Sequence, residues 1–290
     1  MSTRTIIVGY DRSAGSRDAA KWALDEAART GALVEFFYAY EWPTWMPAAS
    51  MVPATSVWPD NDTDRAVKGA LHQAVVSARA THPQVRTAIS IVHAHAGSTL
   101  IDRSREADLI VLGCRGHSAV GGLLGSLSAA VSAHAHCPVV LVRGDAAATS
   151  PVVVGVDDSA SSHAAMAFAV EQAVARGVGL HVIRAWKPVT GLWEETAMVT
   201  RKVTAEERQP FDQLIASWRE KQPDLEIHAD AVVEHPASVL ARAGLSAQLL
   251  VVGTHGHGPV RGMLLGSVSQ HLLRHSPCSL AIVHVTSTPR

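Results

Sequence analysis

The stretch GTHGHGPVRGMLLGS (residues 253–267) follows the apolar run LLVV (249–252) and leads into a pattern with helical spacing. So much glycine between a buried strand and a helix strips side chains from a junction where backbone amides collect. A second stretch, GCRGHSAVGGLLGS (113–126), follows LIVL (109–112) in the same way. The chain writes one device twice.

The repetition extends outward from these loops. IIVGYDRSAGSRDAAKWALDEAARTGA (6–32) aligns with VVVGVDDSASSHAAMAFAVEQAVARGV (152–178), and HAGSTLIDRSREADLIVLGCRGH (95–117) aligns with HPASVLARAGLSAQLLVVGTHGH (235–257). The spacing between the copies drifts along the chain, as loop insertions and deletions produce in a duplicated domain. The small, polar stretch GDAAATSP (144–151) has the composition of a linker. Two domains are expected, 1–146 and 150–290.

Within each copy, apolar runs alternate with helical patterns. In the first, the expected strands are TIIVGY (5–10), LVEFFYAY (33–40), VRTAISIVH (85–93), DLIVLG (108–113) and VVLVR (139–143). Helices are expected over 18–29, 65–80, 98–106 and 123–136. The second copy repeats this order from VVVGVD (152–157) to LAIVHV (280–285). Strands apolar throughout and separated by helices imply an α/β fold: two tandem domains, each a five-stranded parallel sheet with helices on both faces, Rossmann-like in type.

Bulk properties narrow the partners. A chain of 290 residues with a hydrophobic fraction of 47% can bury a core in each half. The net charge of −1, with acids and bases interspersed, offers no electrostatic footprint for nucleic acid or an anionic membrane. No apolar run reaches the roughly 18–20 residues of a membrane helix. MSTRTIIVGYD (1–11) meets an aspartate before a signal-peptide core can form. Cys114, Cys137 and Cys278 lack CxxC spacing and read as buried thiols in a reducing compartment. A cytoplasmic protein is expected.

Parallel sheets of this kind bind ligands at the carboxyl ends of their strands, where consecutive connections leave in opposite directions, here between the first and fourth strands. Two features fall at those ends. Asp11 and Asp157 close the first strands, each followed by a serine, Ser13 or Ser159. Such a carboxylate can accept hydrogen bonds from a ribose or a base amine, or serve only as a turn or capping residue. Gly113, Gly116, Gly253 and Gly256 open the glycine loops, permitting positive φ and leaving no Cβ between backbone amides and a ligand. Gly125-Ser126 and Gly266-Ser267 close them near a helix N-terminus, where unpaired N–H groups favour an anion such as a phosphate chain.

The combination G-x2-G-x9-G-S with VGVD at the end of the first strand resembles the nucleotide-binding branch of the universal stress protein family, over nearly the whole chain as a tandem pair. The resemblance implies an adenine nucleotide alpha hydrolase-like fold and ATP as cofactor, with or without Mg2+. It implies that Asp157 contacts the adenosine part while Gly253, Gly256, Gly266 and Ser267 hold ribose and phosphates. The corresponding set in the first half is Asp11, Gly113, Gly116, Gly125 and Ser126. It also implies pairing through the last strand of each sheet, hence a pseudo-dimer of the two halves and a homodimer of the chain. The function implied is stress response or growth regulation through the nucleotide-bound state, with at most weak ATP hydrolysis. The alternatives are a slow ATPase or nucleotidyl transferase using the same pocket, and an interaction module with a lost site.

The first half departs from the motif, because eight residues separate Gly116 from Gly125 whereas nine separate Gly256 from Gly266. A residue lost there shortens the loop or rewinds the helix start by about 100°. No GxxxxGK[ST] loop is present, and neither glycine loop carries a lysine. Arg115, His117, His255, His257 and Arg261 either touch phosphates or face solvent. His271 and His275 share a helix face by their spacing, but no carboxylate or thiolate accompanies them and a helix C-terminus favours histidine in any case, so no metal site is expected. The Pro-, Trp- and Met-rich stretch 41–59 and its shorter counterpart 185–193 are expected to form a lid or an interface.

Overall fold

A computed structural model of the chain describes residues 4–41, 61–114, 125–144, 146–188, 203–256 and 265–285. The chain divides into unit 1, Met1–Val142, and unit 2, Arg143–Arg290.

Unit 1 runs β1 (Thr5–Gly9), α1 (Ala14–Thr30), β2 (Leu33–Ala39), α2 (Asn61–Thr81), β3 (Arg86–Val92), α3 (Ala96–Arg103), β4 (Leu109–Gly113), α4 (Ser126–His134) and β5 (Val139–Val142). Unit 2 repeats the series as β6 (Val152–Val156), α5 (Ala160–Arg176), β7 (Leu180–Trp186), α6 (Ala205–Lys221), β8 (Ile227–Val233), α7 (Pro236–Gly244), β9 (Leu249–Gly253), α8 (Ser267–His275) and β10 (Ser279–Val283). Within unit 1 the strands are ordered β3-β2-β1-β4-β5, and within unit 2 β8-β7-β6-β9-β10. Every pair inside these sheets is parallel. The fold is the α/β arrangement expected from the alternation of runs, and the order reverses between the first and fourth strands of each unit.

Local chemistry accounts for the boundaries. Ser13 and Ser159 cap α1 and α5 by accepting from the amides of Ser16 and Ser162, and Gly31 and Gly177 end those helices in the left-handed conformation. Pro236 stands in the first turn of α7. Thr204 and Glu207 form a reciprocal capping box at the start of α6. The face of α1 that meets the sheet is small, with Ala19, Ala20, Ala23 and Ala27 all buried, so the helix approaches β1 and β4 closely. Phe36, Ile110, Leu141, Leu180, Leu249 and Leu280 are fully buried and supply the bulk of the two cores. The helices expected from Leu123 and Leu264 begin at Ser126 and Ser267, each after a glycine N-cap.

Candidate nucleotide-binding notch

In unit 2 the carboxyl ends of β6 and β9, the candidate notch, lie side by side. β6 and β9 are adjacent, pairing Val154 with Val251, and the chain leaves β6 through Asp157 into the Ser159 cap of α5. Asp157 Oδ1 accepts from the Ser159 amide at 2.9 Å and from the Ser159 hydroxyl, while the Ser162 hydroxyl donates to the Asp157 carbonyl at 2.6 Å. These bonds fix the direction of the carboxylate. The Ser161 hydroxyl donates to the His255 carbonyl, with Ser159 Oγ 3.1 Å from the same oxygen, which ties the start of the glycine loop to the first turn of α5.

The glycines act here through space. Among the described residues the positive-φ glycines are Gly31, Gly144 and Gly177, so the conformational freedom expected of Gly113, Gly253 and Gly256 is not what the structure uses. A Cβ on Gly253 would stand 2.7 Å from the backbone carbon of Ser161, and one on Gly113 would stand 2.5 Å from that of Gly15. In both units the bare residue lets the first helix lie against the end of the fourth strand. A Cβ on Gly256 would stand 2.3 Å from Asp157 Oδ2, so the carboxylate occupies the place a side chain would take. Gly266 returns over the loop, its amide donating to the Thr254 carbonyl at 2.8 Å.

Gly266 is the N-cap of α8 and Gly125 that of α4, and neither offers a side-chain oxygen to the first-turn amides. Those amides form an anion-favouring end. Each helix is anchored beside its strand by a serine one turn on: Ser128 Oγ donates to the Gly113 carbonyl at 3.1 Å, and Ser269 Oγ to the Gly253 carbonyl at 2.6 Å. Asp157, Gly256, Gly266 and the amide end at Ser267 are thus gathered on one loop framework. In unit 1 Asp11 Oδ1 accepts from the Ser13 amide at 2.9 Å, and Gly113, Gly125 and Ser126 hold the corresponding places. Gly116 lies outside the described residues, as do Arg115, His117, His257, Arg261 and positions 42–59 and 189–193 of the expected lids.

The two notches differ in residues that sequence reasoning passed over. Unit 2 places Arg184, near the end of β7, in a two-bond pair with Asp158 at 3.0 and 2.6 Å, with its guanidinium 5.1 Å from the Trp186 ring. Unit 1 has Tyr38 and Arg12 at the corresponding positions, with Arg12 at φ 70°. Burial pushes the Tyr38 hydroxyl above its ordinary pKa, so it stays protonated and neutral. Repeated positions with exchanged charge, Arg12 against Asp158, were the available signal.

The sequence profile of the universal stress protein family matches residues 2–143 and again 149–284. The chain belongs to that family. Among its relatives, a universal stress protein of Mycobacterium tuberculosis is 34% identical over 284 residues, 93% of this chain and 92% of the relative. Another, from Mycobacterium bovis, is 33% identical over 277 residues, 92% of each. The crystal structure of a universal stress protein from Archaeoglobus fulgidus matches with a TM-score of 0.70 at 18% identity, over 98% of this chain and 99% of that one, a likeness of fold. The family's tandem form is therefore the form of this chain. No helix among the described residues is long and apolar enough to cross a membrane.

Proposed function

We propose that the chain binds ATP at the carboxyl-end notch of each unit and acts in stress response or growth regulation through its nucleotide-bound state. The observation that carries this reading is the cradle in unit 2, where Asp157 fills the space left by Gly256 beside the uncapped helix end at Gly266. A carboxylate there accepts from ribose or base, and the amides of the first turn of α8 meet phosphate oxygens, a division of labour that suits a nucleotide with one polar and one anionic end. Asp157 would orient the adenosine, with Gly253, Gly256, Gly266 and Ser267 against ribose and phosphates. Asp11, Gly113, Gly116, Gly125 and Ser126 would take those roles in unit 1. Mg2+ would travel with the phosphates, as it does where a site supplies few protein ligands of its own.

The loop shortened by one residue favours a weaker site in unit 1. Ligand released by denaturing the purified full chain, identified by mass spectrometry and quantified by HPLC, tests the reading. ATP in near two-to-one ratio supports binding by both units, and a ratio near one that disappears in Asp157→Ala assigns the site to unit 2. ADP accumulating with time at 25 °C would favour the slow ATPase. No nucleotide, together with no thermal shift on adding ATP, would overturn the proposal in favour of an interaction module.

A further inference from the structure

At the opposite, amino-terminal end of the unit 2 sheet, two histidines and an aspartate converge. His181 is the second residue of β7 and His228 the second of β8, and the strand register sets them side by side. Asp230 lies two residues along β8 and so points to the same face. Its Oδ2 is 2.8 Å from His181 Nε2 and its Oδ1 is 3.4 Å from His228 Nε2, with the two imidazole centroids 4.8 Å apart. One donor atom from each residue falls within 4.8 Å of the other two. We infer that His181, His228 and Asp230 form a binding site for a divalent transition metal of the zinc class.

Two observations support the assignment independently. The first is donor geometry. Ligands on a tetrahedral Zn2+ with bonds near 2.0–2.1 Å are separated by roughly 3.3–3.4 Å, which matches the 3.4 Å between His228 Nε2 and Asp230 Oδ1. His181 Nε2 lies against the other oxygen, Oδ2, at 2.8 Å, so one metal on all three residues requires the carboxylate to turn or that pair to part by about half an ångström. Two imidazoles and one carboxylate suit Zn2+, Co2+ or Ni2+, and leave a coordination position for water or a ligand.

The second is the repeat. In unit 1 the same sheet positions carry Glu35, Ala88 and Ser90: the row Ile7–Glu35–Ala88 corresponds to Val153–His181–His228, and Gly9–Phe37–Ser90 to Gly155–Ile183–Asp230. There a cation from the chain already fills the place. Arg103 of α3 pairs with both carboxylate oxygens of Glu35, at 2.8 Å for Oε2, and donates to Ser90 Oγ at 3.0 Å, although Glu35 is only 7% exposed. The position equivalent to Arg103 in α7 is Ala243. Unit 2 therefore lacks the guanidinium and carries metal-grade donors at one place on the sheet. Among the described residues Asp230 meets two imidazoles and no arginine or lysine.

Full-length chain stripped with EDTA and titrated with ZnCl2 by calorimetry, without nucleotide, tests the inference, with Co2+ visible spectra as a second readout. The wild type should take up Zn2+, and Asp230→Asn, His228→Ala and Ala243→Arg should each weaken one equivalent by at least about 100-fold, the upper end of what even an outer hydrogen-bond partner costs. The Co2+ ligand-field band should disappear in the same variants. His271→Ala/His275→Ala, which removes the other histidine pair on a helix face, should leave that equivalent intact. His228 is 69% exposed, so its substitution decides the matter if another variant folds poorly. No Zn2+ uptake by the wild type, or uptake unchanged in His228→Ala and Asp230→Asn, overturns the site.

Discussion

The carboxylate of Asp157 stands where a methyl group on residue 256 would have to stand, at 2.3 Å from the ideal Cβ position. Because the obstruction is the end of a side chain, Gly256→Ala can be accommodated by swinging the carboxylate away, at the cost of its hydrogen bonds from Ser159. We expect that variant to lose about 1–2 kcal/mol of stability while the nucleotide affinity of unit 2 falls at least about tenfold. Thermal melting and calorimetry on the same sample check it; unchanged affinity would remove Asp157 from the site. A different residue-scale effect concerns the thiols. Burial pushes the Cys137 thiol up to about 12 and raises Cys278 as well. A thiol in the unfolded chain titrates near 8.5, so above that pH the unfolded state has released protons the native state retains. Native stability therefore falls as pH rises from about 9, by at most about 1.4 kcal/mol per pH unit for each buried thiol, and is unaffected by these groups below about pH 8. Urea midpoints measured at pH 8 and pH 10 should show the fall, and Cys137→Ala should flatten it; an equal slope in that variant would exclude the thiol as its cause.

At the scale of elements, the contact between the end of the fourth strand and the first turn of the first helix holds the notch in shape. A Cβ on Gly253 would press at 2.7 Å on the Ser161 backbone, which cannot swing aside as a carboxylate can. Gly253→Ala should cost about 1–3 kcal/mol in denaturant unfolding and weaken nucleotide binding by displacing the Asp157–Ser159 turn. A neutral effect on stability would mean that α5 does not lie as close to β9 as described. This contact also marks the limit of what was legible. Strands such as LIVL and LLVV and the serine caps could be read from local pattern, because burial and capping act over a few residues, whereas the helices expected from Leu123 and Leu264 begin three residues later, at Ser126 and Ser267. The reason for Gly113 and Gly253 could not, since it lies in Gly15 and Ser161, far away in sequence. His181, His228 and Asp230 were hidden in the same way: H-x-D within one strand is a weak signal until the register of β7 and β8 brings the third donor alongside.

At the scale of the molecule, one domain has been kept twice as a scaffold while its polar positions diverged. The strand order, the caps and the glycine helix starts recur in both units. Meanwhile unit 1 carries Arg12 where unit 2 carries Asp158 in partnership with Arg184, and the Glu35–Arg103 pair where unit 2 carries a histidine and aspartate cluster. Divergence of this kind leaves cores intact because buried apolar positions tolerate little change in volume, while polar partners that exchange together keep each buried charge paired. The two notches should therefore bind with unequal strength, unit 2 the tighter. Calorimetric titration of ATP into nucleotide-free full-length chain, beside Asp11→Ala and Asp157→Ala, tests this most directly. Two unequal binding events are expected in the wild type, with the tighter one lost in Asp157→Ala and the weaker one in Asp11→Ala. Absence of binding heat from the wild type at several temperatures, or titrations that both substitutions leave unchanged, would contradict it.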